Sequence, residues 1–148
     1  LVYLNEYTNG SMPYAYASAL DLDENDTNEV VVLEGGDQVL VLKEYEGVVY
    51  AWQYRHTDLY HLRIDGTYDW NRQAGQIYGS SKLQFEGIKR NDVELDRVEH
   101  NEKFFINEAE VSQDEHLSYV QNQKSSEKVE RYWWKTNLKT PDYQINGK

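Results

Sequence analysis

Apolar and polar positions alternate with a period of two through most of the first two thirds of the chain, which is the pattern of half-buried strands. Residues 14–20 can run as a strand, residues 29–33 form a β-branched strand, and Gly35-Gly36 turns that strand into residues 38–45. Val48, Tyr50, Trp52 and Tyr54 then share one face, and Tyr60, Leu62 and Ile64 share a face of the next predicted strand, before an Asp65-Gly66 turn. Further strands are predicted at 75–78, 82–86, 93–100 and 103–107, the third alternating least clearly.

The period changes at the two ends of the chain. Leu1, Leu4 and Tyr7 (or Tyr3) recur at helical spacing and Asn9-Gly10 comes next as a stop, so residues 1–8 read as the end of a helix begun upstream. Ser112 followed by Glu115 is a capping box: the serine oxygen accepts from a free amide of the first turn while the glutamate reaches back. That predicts a helix over 112–125, starting at Gln113, with Leu117 and Val120 as a narrow apolar face and Lys124-Ser125-Ser126 as its end. A closing strand is predicted at 129–134, and residues 136–148 read as a tail. No fixed-period repeat or linker interrupts the pattern. At 148 residues the chain is expected to be one domain. Its expected class is α+β and β-rich: a twisted antiparallel β-meander sheet over 14–107 with one or two packed helices.

Composition narrows the partners. Fifteen Lys and Arg against 26 Asp and Glu give a formal charge of -11, which opposes a phosphate backbone instead of neutralising it. Nucleic acid and anionic membrane surfaces are therefore excluded as expected partners. No apolar run approaches the roughly 20 residues of a bilayer span, and Leu1 to Glu6 lacks a basic region or cleavage pattern. A soluble chain is expected, any export signal having been removed or lying upstream. The absence of cysteine rules out disulfides, thiolate metal sites and a cysteine nucleophile. Thirteen Tyr and four Trp beside three Phe and two Pro favour sheet faces and wet binding surfaces.

One segment carries metal chemistry. Asp21-Leu22-Asp23-Glu24-Asn25-Asp26-Thr27-Asn28-Glu29 sets oxygen side chains at alternate positions and a carboxylate at the ninth, between two strands. A tight loop turns alternate side chains inward, and calcium takes six to eight hard oxygen ligands. Asp21, Asp23, Asn25 and Glu29 would ligate through side chains and Thr27 through its carbonyl, with water completing the shell. A helical EF-hand is ruled out, because the twelfth position is Val32 and the flank Val30-Val31-Val32-Leu33 is strand. The stretch from Ala17 to Val32 resembles the DxDxDGxxE strand-loop-strand calcium loop of FG-GAP and VCBS-like segments, most of all versions in secreted proteins and lipoproteins of Gram-positive bacteria. Phe104-Phe105-Ile106-Asn107, ahead of a capped helix, is similar to a segment downstream of the calcium loop in those bacterial proteins. Glu24 and Asp26 stand where the family usually has glycines; Asp adopts the left-handed backbone of a tight turn at some cost relative to Gly. The resemblance implies an extracytoplasmic location, where calcium is abundant, and no catalytic activity.

The remaining residues with chemical potential read blandly. His56, His61 and Asp58 match no ligand spacing, and His100 and His116 stand isolated, with no triad context. Tyr50, Trp52 and Tyr54 have the form of a sugar platform but read first as the sheet's core face, because Val49, Ala51 and Gln53 opposite are smaller and more polar. Trp133 and Trp134 cannot both point inward on a strand, which leaves one as a hint of a partner surface. Gly35-Gly36 and Asp65-Gly66 lack a phosphate-loop lysine or a following helix. The expected function is thus a non-enzymatic, secreted or surface-anchored domain with a structural calcium loop, engaging a protein or glycan. The alternatives are a hydrolase or lyase acting through acidic residues, or a structural domain whose acidic turn holds no metal.

Overall fold

In the computed structural model, residues 16–23, 29–123 and 132–133 are described. The chain opens with an antiparallel meander of β1 (Tyr16–Leu20), β2 (Val30–Gly35), β3 (Gln38–Tyr45) and β4 (Val48–Arg55). It continues with β5 (Thr67–Arg72), β6 (Ile77–Lys82), a small ribbon of β7 (Phe85–Glu86) and β8 (Lys89–Arg90), then β9 (Val93–Glu99), β10 (Lys103–Ile106) and β11 (Ala109–Val111). Helix α1 (Gln113–Gln123) comes next, and β12 (Tyr132–Trp133) pairs antiparallel with β1. The protein is β-rich α+β, with every strand pair antiparallel among the described residues. No described helix is long and apolar enough to cross a membrane.

The strands do not make one continuous sheet. One five-stranded sheet has the order β12-β1-β2-β3-β4 and a second has β11-β10-β9-β6-β5. The break falls where alternation predicted a strand through Tyr60, Leu62 and Ile64. There the structure has only an isolated bridge between Tyr60 and Asp69. His61 takes a positive φ of 50°, which ends any extended run, and Ile64 is 49% exposed. The apolar positions of this stretch serve packing without a ladder: Leu59 and Leu62 are buried in the main core. The strand predicted at 75–78 begins two residues later, because Gln73, Ala74 and Gly75 form a tight turn with positive φ. The one predicted at 82–86 is split between the end of β6 and β7. β11 was not foreseen, because its hairpin turn is Asn107-Glu108, with φ of 49° and 69° but no glycine to announce it.

β2 and β3 bury both faces, the physical reason for their nearly unbroken apolar runs. Val30, Val32, Val39 and Val41 enter the main core with Leu20, Tyr54, Leu59, Leu62, Tyr68, Trp70 and Leu83. Leu33, Leu40 and Leu42 form a second cluster on the other face, against Ala17, Val31 and Ala51 among the described residues. Each fully buried Leu or Val contributes about 1.5 to 3 kcal/mol relative to exposure. Tyr68 and Trp70 belong to β5, so the main core joins the two sheets.

The stripe of Tyr50, Trp52 and Tyr54 lies on this core side, and the ribbon covers Trp52 and Tyr54. Trp52 meets Phe85 at 5.1 Å between ring centroids, and the Arg90 guanidinium stands 4.3 Å over the ring of Tyr54. At the other sheet, α1 packs on β10. Ser112 Oγ accepts from the amide of Glu115 at 3.2 Å, the cap that the sequence announces. The buried face differs from the expected one: Leu117 is 54% exposed, while His116 is buried and Tyr119, Val120 and Gln123 are half-buried. Residues 1–8, 124–131, Trp134 and 136–148, with the helix end, tail and tryptophan readings that fall on them, lie outside the described residues.

Candidate metal centre

The acidic turn links two strands that are locked in register. β1 and β2 pair from Tyr16 opposite Glu34 to Leu20 opposite Val30, and the amide of Glu29 donates to the Leu20 carbonyl at 3.0 Å. Leu20 and Val30 are buried, so the ends of the turn are held by the core. Leu22 packs against the same core, its Cδ2 filling the space that a side chain on Gly66 would need, with a would-be Cβ at 2.6 Å. With Leu22 turned inward, its neighbours Asp21 and Asp23 are turned away from the core, half-buried and exposed respectively.

Glu29 closes the turn. Its Oε1 accepts from the amides of Leu22 at 2.6 Å and Asp23 at 3.2 Å, satisfying two backbone donors that the loop would otherwise leave open. Its Oε2 is buried and has no hydrogen-bond donor among the described residues. Asp21, Asp23 and Glu29 each present an oxygen, and these oxygens all lie within 4.8 Å of one another. Two like charges at about 4 Å repel by roughly 1 kcal/mol in water and about 4 kcal/mol at the effective dielectric of a protein surface. A divalent cation among the three would turn that repulsion into attraction. Of the five residues expected to ligate, the structure brings these three together; Asn25 and Thr27 lie outside the described residues.

The other ionisable residues disperse or pair elsewhere. His56 faces the carbonyl of Asp37, His61 pairs with Asp69 at 2.9 Å, and Asp58 pairs with Arg55 at 3.2 Å, so these three form no cluster. His116 is not isolated: its Nε2 lies 2.7 Å from Asp96 Oδ2, and Asp96 Oδ1 accepts from the hydroxyl of Ser80. Asp96 and Ser80 are also buried, and Gly79, next to Ser80 on β6, has no room for a Cβ, which would fall 2.0 Å from the Asp96 carbonyl. The sequence signal for His116 was its place in the row with Tyr119, Val120 and Gln123, one helical face at three- and four-residue spacing.

A second polar group, half-buried, escaped sequence reasoning altogether. Asp92 Oδ2 accepts from the hydroxyls of both Tyr54, at 3.0 Å, and Tyr68. Burial, and after it the charge of Asp92, pushes both phenols well above the usual tyrosine range. They are neutral donors at any ordinary pH, which fits a structural brace more than an acid-base pair. No protein-family model, curated protein or solved structure matches the chain.

Proposed function

We propose that the chain is a non-enzymatic, extracytoplasmic binding domain whose turn from Asp21 to Glu29 takes up calcium. The observation that carries this reading is the buried Oε2 of Glu29, without a donor among the described residues, set beside carboxylate oxygens of Asp21 and Asp23 within 4.8 Å. A buried carboxylate oxygen demands a proton donor or a cation. Hard oxygens around a turn suit calcium, and the resemblance of the loop to secreted calcium loops adds Asn25 and the Thr27 carbonyl to the shell. The metal offsets two of the three carboxylate charges and ties β1 to β2; the rest of the surface is left to a protein or glycan partner.

Extracellular calcium modules hold the ion with dissociation constants of about 0.1 to 1 mM. At a hundredfold excess, one such site adds about 2.7 kcal/mol of stability, which for a chain of this length raises the melting temperature by roughly 5 to 10 °C. Titration calorimetry and thermal melting of the protein and of the double variant Asp21→Ala with Asp23→Ala provide the check. The wild type is expected to bind saturably and melt higher with calcium. The variant, with two of the carboxylates gone, is expected to show neither the heat nor the shift. No heat and no shift with calcium at a hundredfold excess over about 1 mM would reduce the turn to a hydrogen-bonded loop closed by Glu29.

A further inference from the structure

At the opposite end of the β1–β2 hairpin from the acidic turn lies an open cleft of about 460 Å³, within the size range of small-molecule sites. Tyr16 and Glu34, cross-strand partners on β1 and β2, line it together with His56, Thr57 and Tyr60 of the connecting segment and Asn71 of β5. Leu59, fully buried, also lines it. The cleft therefore sits where the first sheet, the connecting segment and the second sheet meet, and its walls are tied together by the backbone. The amide of Asn71 donates to the Thr57 carbonyl at 2.8 Å, and that of His56 donates to the Asp37 carbonyl at 2.9 Å.

The lining selects a chemical class. No lysine or arginine lines the cleft and one carboxylate does, in a chain of charge -11, so a phosphate or carboxylate ligand would find no cation to offset its charge. The polar groups offer both halves of the hydrogen bond. Asn71 Nδ2 donates to the hydroxyl of Tyr60 at 3.3 Å; that hydroxyl, having accepted, still carries its own proton to give, and Asn71 Oδ1 remains an acceptor. His56 turns Nδ1 towards the Asp37 carbonyl at 3.4 Å, and with the proton on that nitrogen its Nε2 accepts. A ligand that matches mixed donors and acceptors, with aromatic and aliphatic surface beside them, bears hydroxyl groups on an apolar ring face. An ammonium group only donates and would leave the Tyr60 proton unmatched.

We propose that this cleft binds one pyranose ring of an uncharged glycan, its C–H face against the tyrosines and its hydroxyls shared among Tyr60, Asn71, His56 and Glu34. The inference deepens the partner half of the function proposed above and uses nothing from the metal. Amide chemical shifts of the full chain, titrated separately with glucose, galactose, mannose and N-acetylglucosamine to tenfold above a dissociation constant of ~1 mM, provide the test. At least one sugar is expected to give saturable shifts at Thr57, Tyr60 and Asn71. The double variant Tyr60→Phe with Asn71→Ala is expected to weaken binding about tenfold. Its fold is read from the same spectra, and His56→Ala, at an exposed position, repeats the test if the double variant does not fold. The shifts should survive chelation of calcium. No localised shift with any of the four sugars, shifts unchanged in the folded variants, or shifts with choline alone would each overturn the proposal. Calcium heat without sugar shifts would leave the metal reading standing, and sugar shifts without calcium heat would leave this one.

Discussion

Asp92 shows how much of the packing rests on one side chain that no motif marks. Its Oδ2 receives two buried phenols from β4 and β5, its Oδ1 lies 3.7 Å from the guanidinium of Arg90, and Arg90 in turn covers the ring of Tyr54. Removing the carboxylate takes away the oxygen that accepts the protons of both buried phenols. Asp92→Ala is therefore expected to cost about 3 kcal/mol in urea unfolding, and Asp92→Asn, which keeps one acceptor oxygen, less than half as much. Equal losses in the two variants would mean that packing, and not the hydrogen bonds, sets the cost. Asp92 is 38 residues from Tyr54 and 24 from Tyr68, separations at which no spacing rule operates.

Among the elements, α1 depends most on a polar contact. Its most exposed apolar residue is Leu117, its buried residue is His116, and the histidine meets Asp96 of β9 and the ring of Phe104 of β10, 5.5 Å away between centroids. An amphipathic helix docks by an apolar stripe, whereas this one docks by a histidine on a buried carboxylate. His116→Ala strands Asp96, 5% exposed, with the Ser80 hydroxyl as its remaining partner among the described residues. The expected result is a loss of about 3 kcal/mol, the upper end for leaving a buried hydrogen-bonding group unmatched. Hydrogen exchange of α1 amides should accelerate while that of β2 and β3 amides keeps its order. Exchange of α1 unchanged in the variant would show that Tyr119 and Val120 hold the helix without the histidine.

For the molecule as a whole, the buried tyrosines set an alkaline limit. In the unfolded chain Tyr54 and Tyr68 ionise near pH 10, whereas in the folded one burial and Asp92 keep them protonated well above that. Tyr119 shifts in the same direction, through burial and then Asp96. Above about pH 10 the folded state thus holds more protons than the unfolded, and stability falls as pH rises; below it, the contribution of these groups is fully present. Each of the two deeply buried tyrosines steepens the fall by about 1.4 kcal/mol per pH unit. Urea midpoints measured from pH 8 to 11 check this, and Tyr54→Phe with Tyr68→Phe is expected to flatten the slope. A flat profile in the wild type would place these phenols in contact with water.

The sequence by itself determined the features that depend on neighbours along the chain. Short β-branched and apolar runs bounded by turn residues wrote β2 and β3, and a period of two wrote β4, because adjacent side chains on a strand must face opposite ways. Ser112 marked the start of α1, because its oxygen reaches an amide three residues away. At the acidic turn the spacing of Asp21, Asp23 and Glu29 was legible in the same way, as a set of oxygens on one loop. Tertiary structure alone decided what those local patterns meet. It split the strands into two sheets, since an apolar residue such as Leu62 is satisfied equally by a ladder or by a packed loop. It chose His116 over Leu117 for the helix interface, because a buried carboxylate on β9 rewards a histidine more than an apolar neighbour would. It drew the three carboxylates together by closing Glu29 onto the amides of Leu22 and Asp23, and it set Tyr16, His56 and Asn71 around one cleft. Burial and charge act through space, and the order of residues along the chain does not record which distant ones will share it.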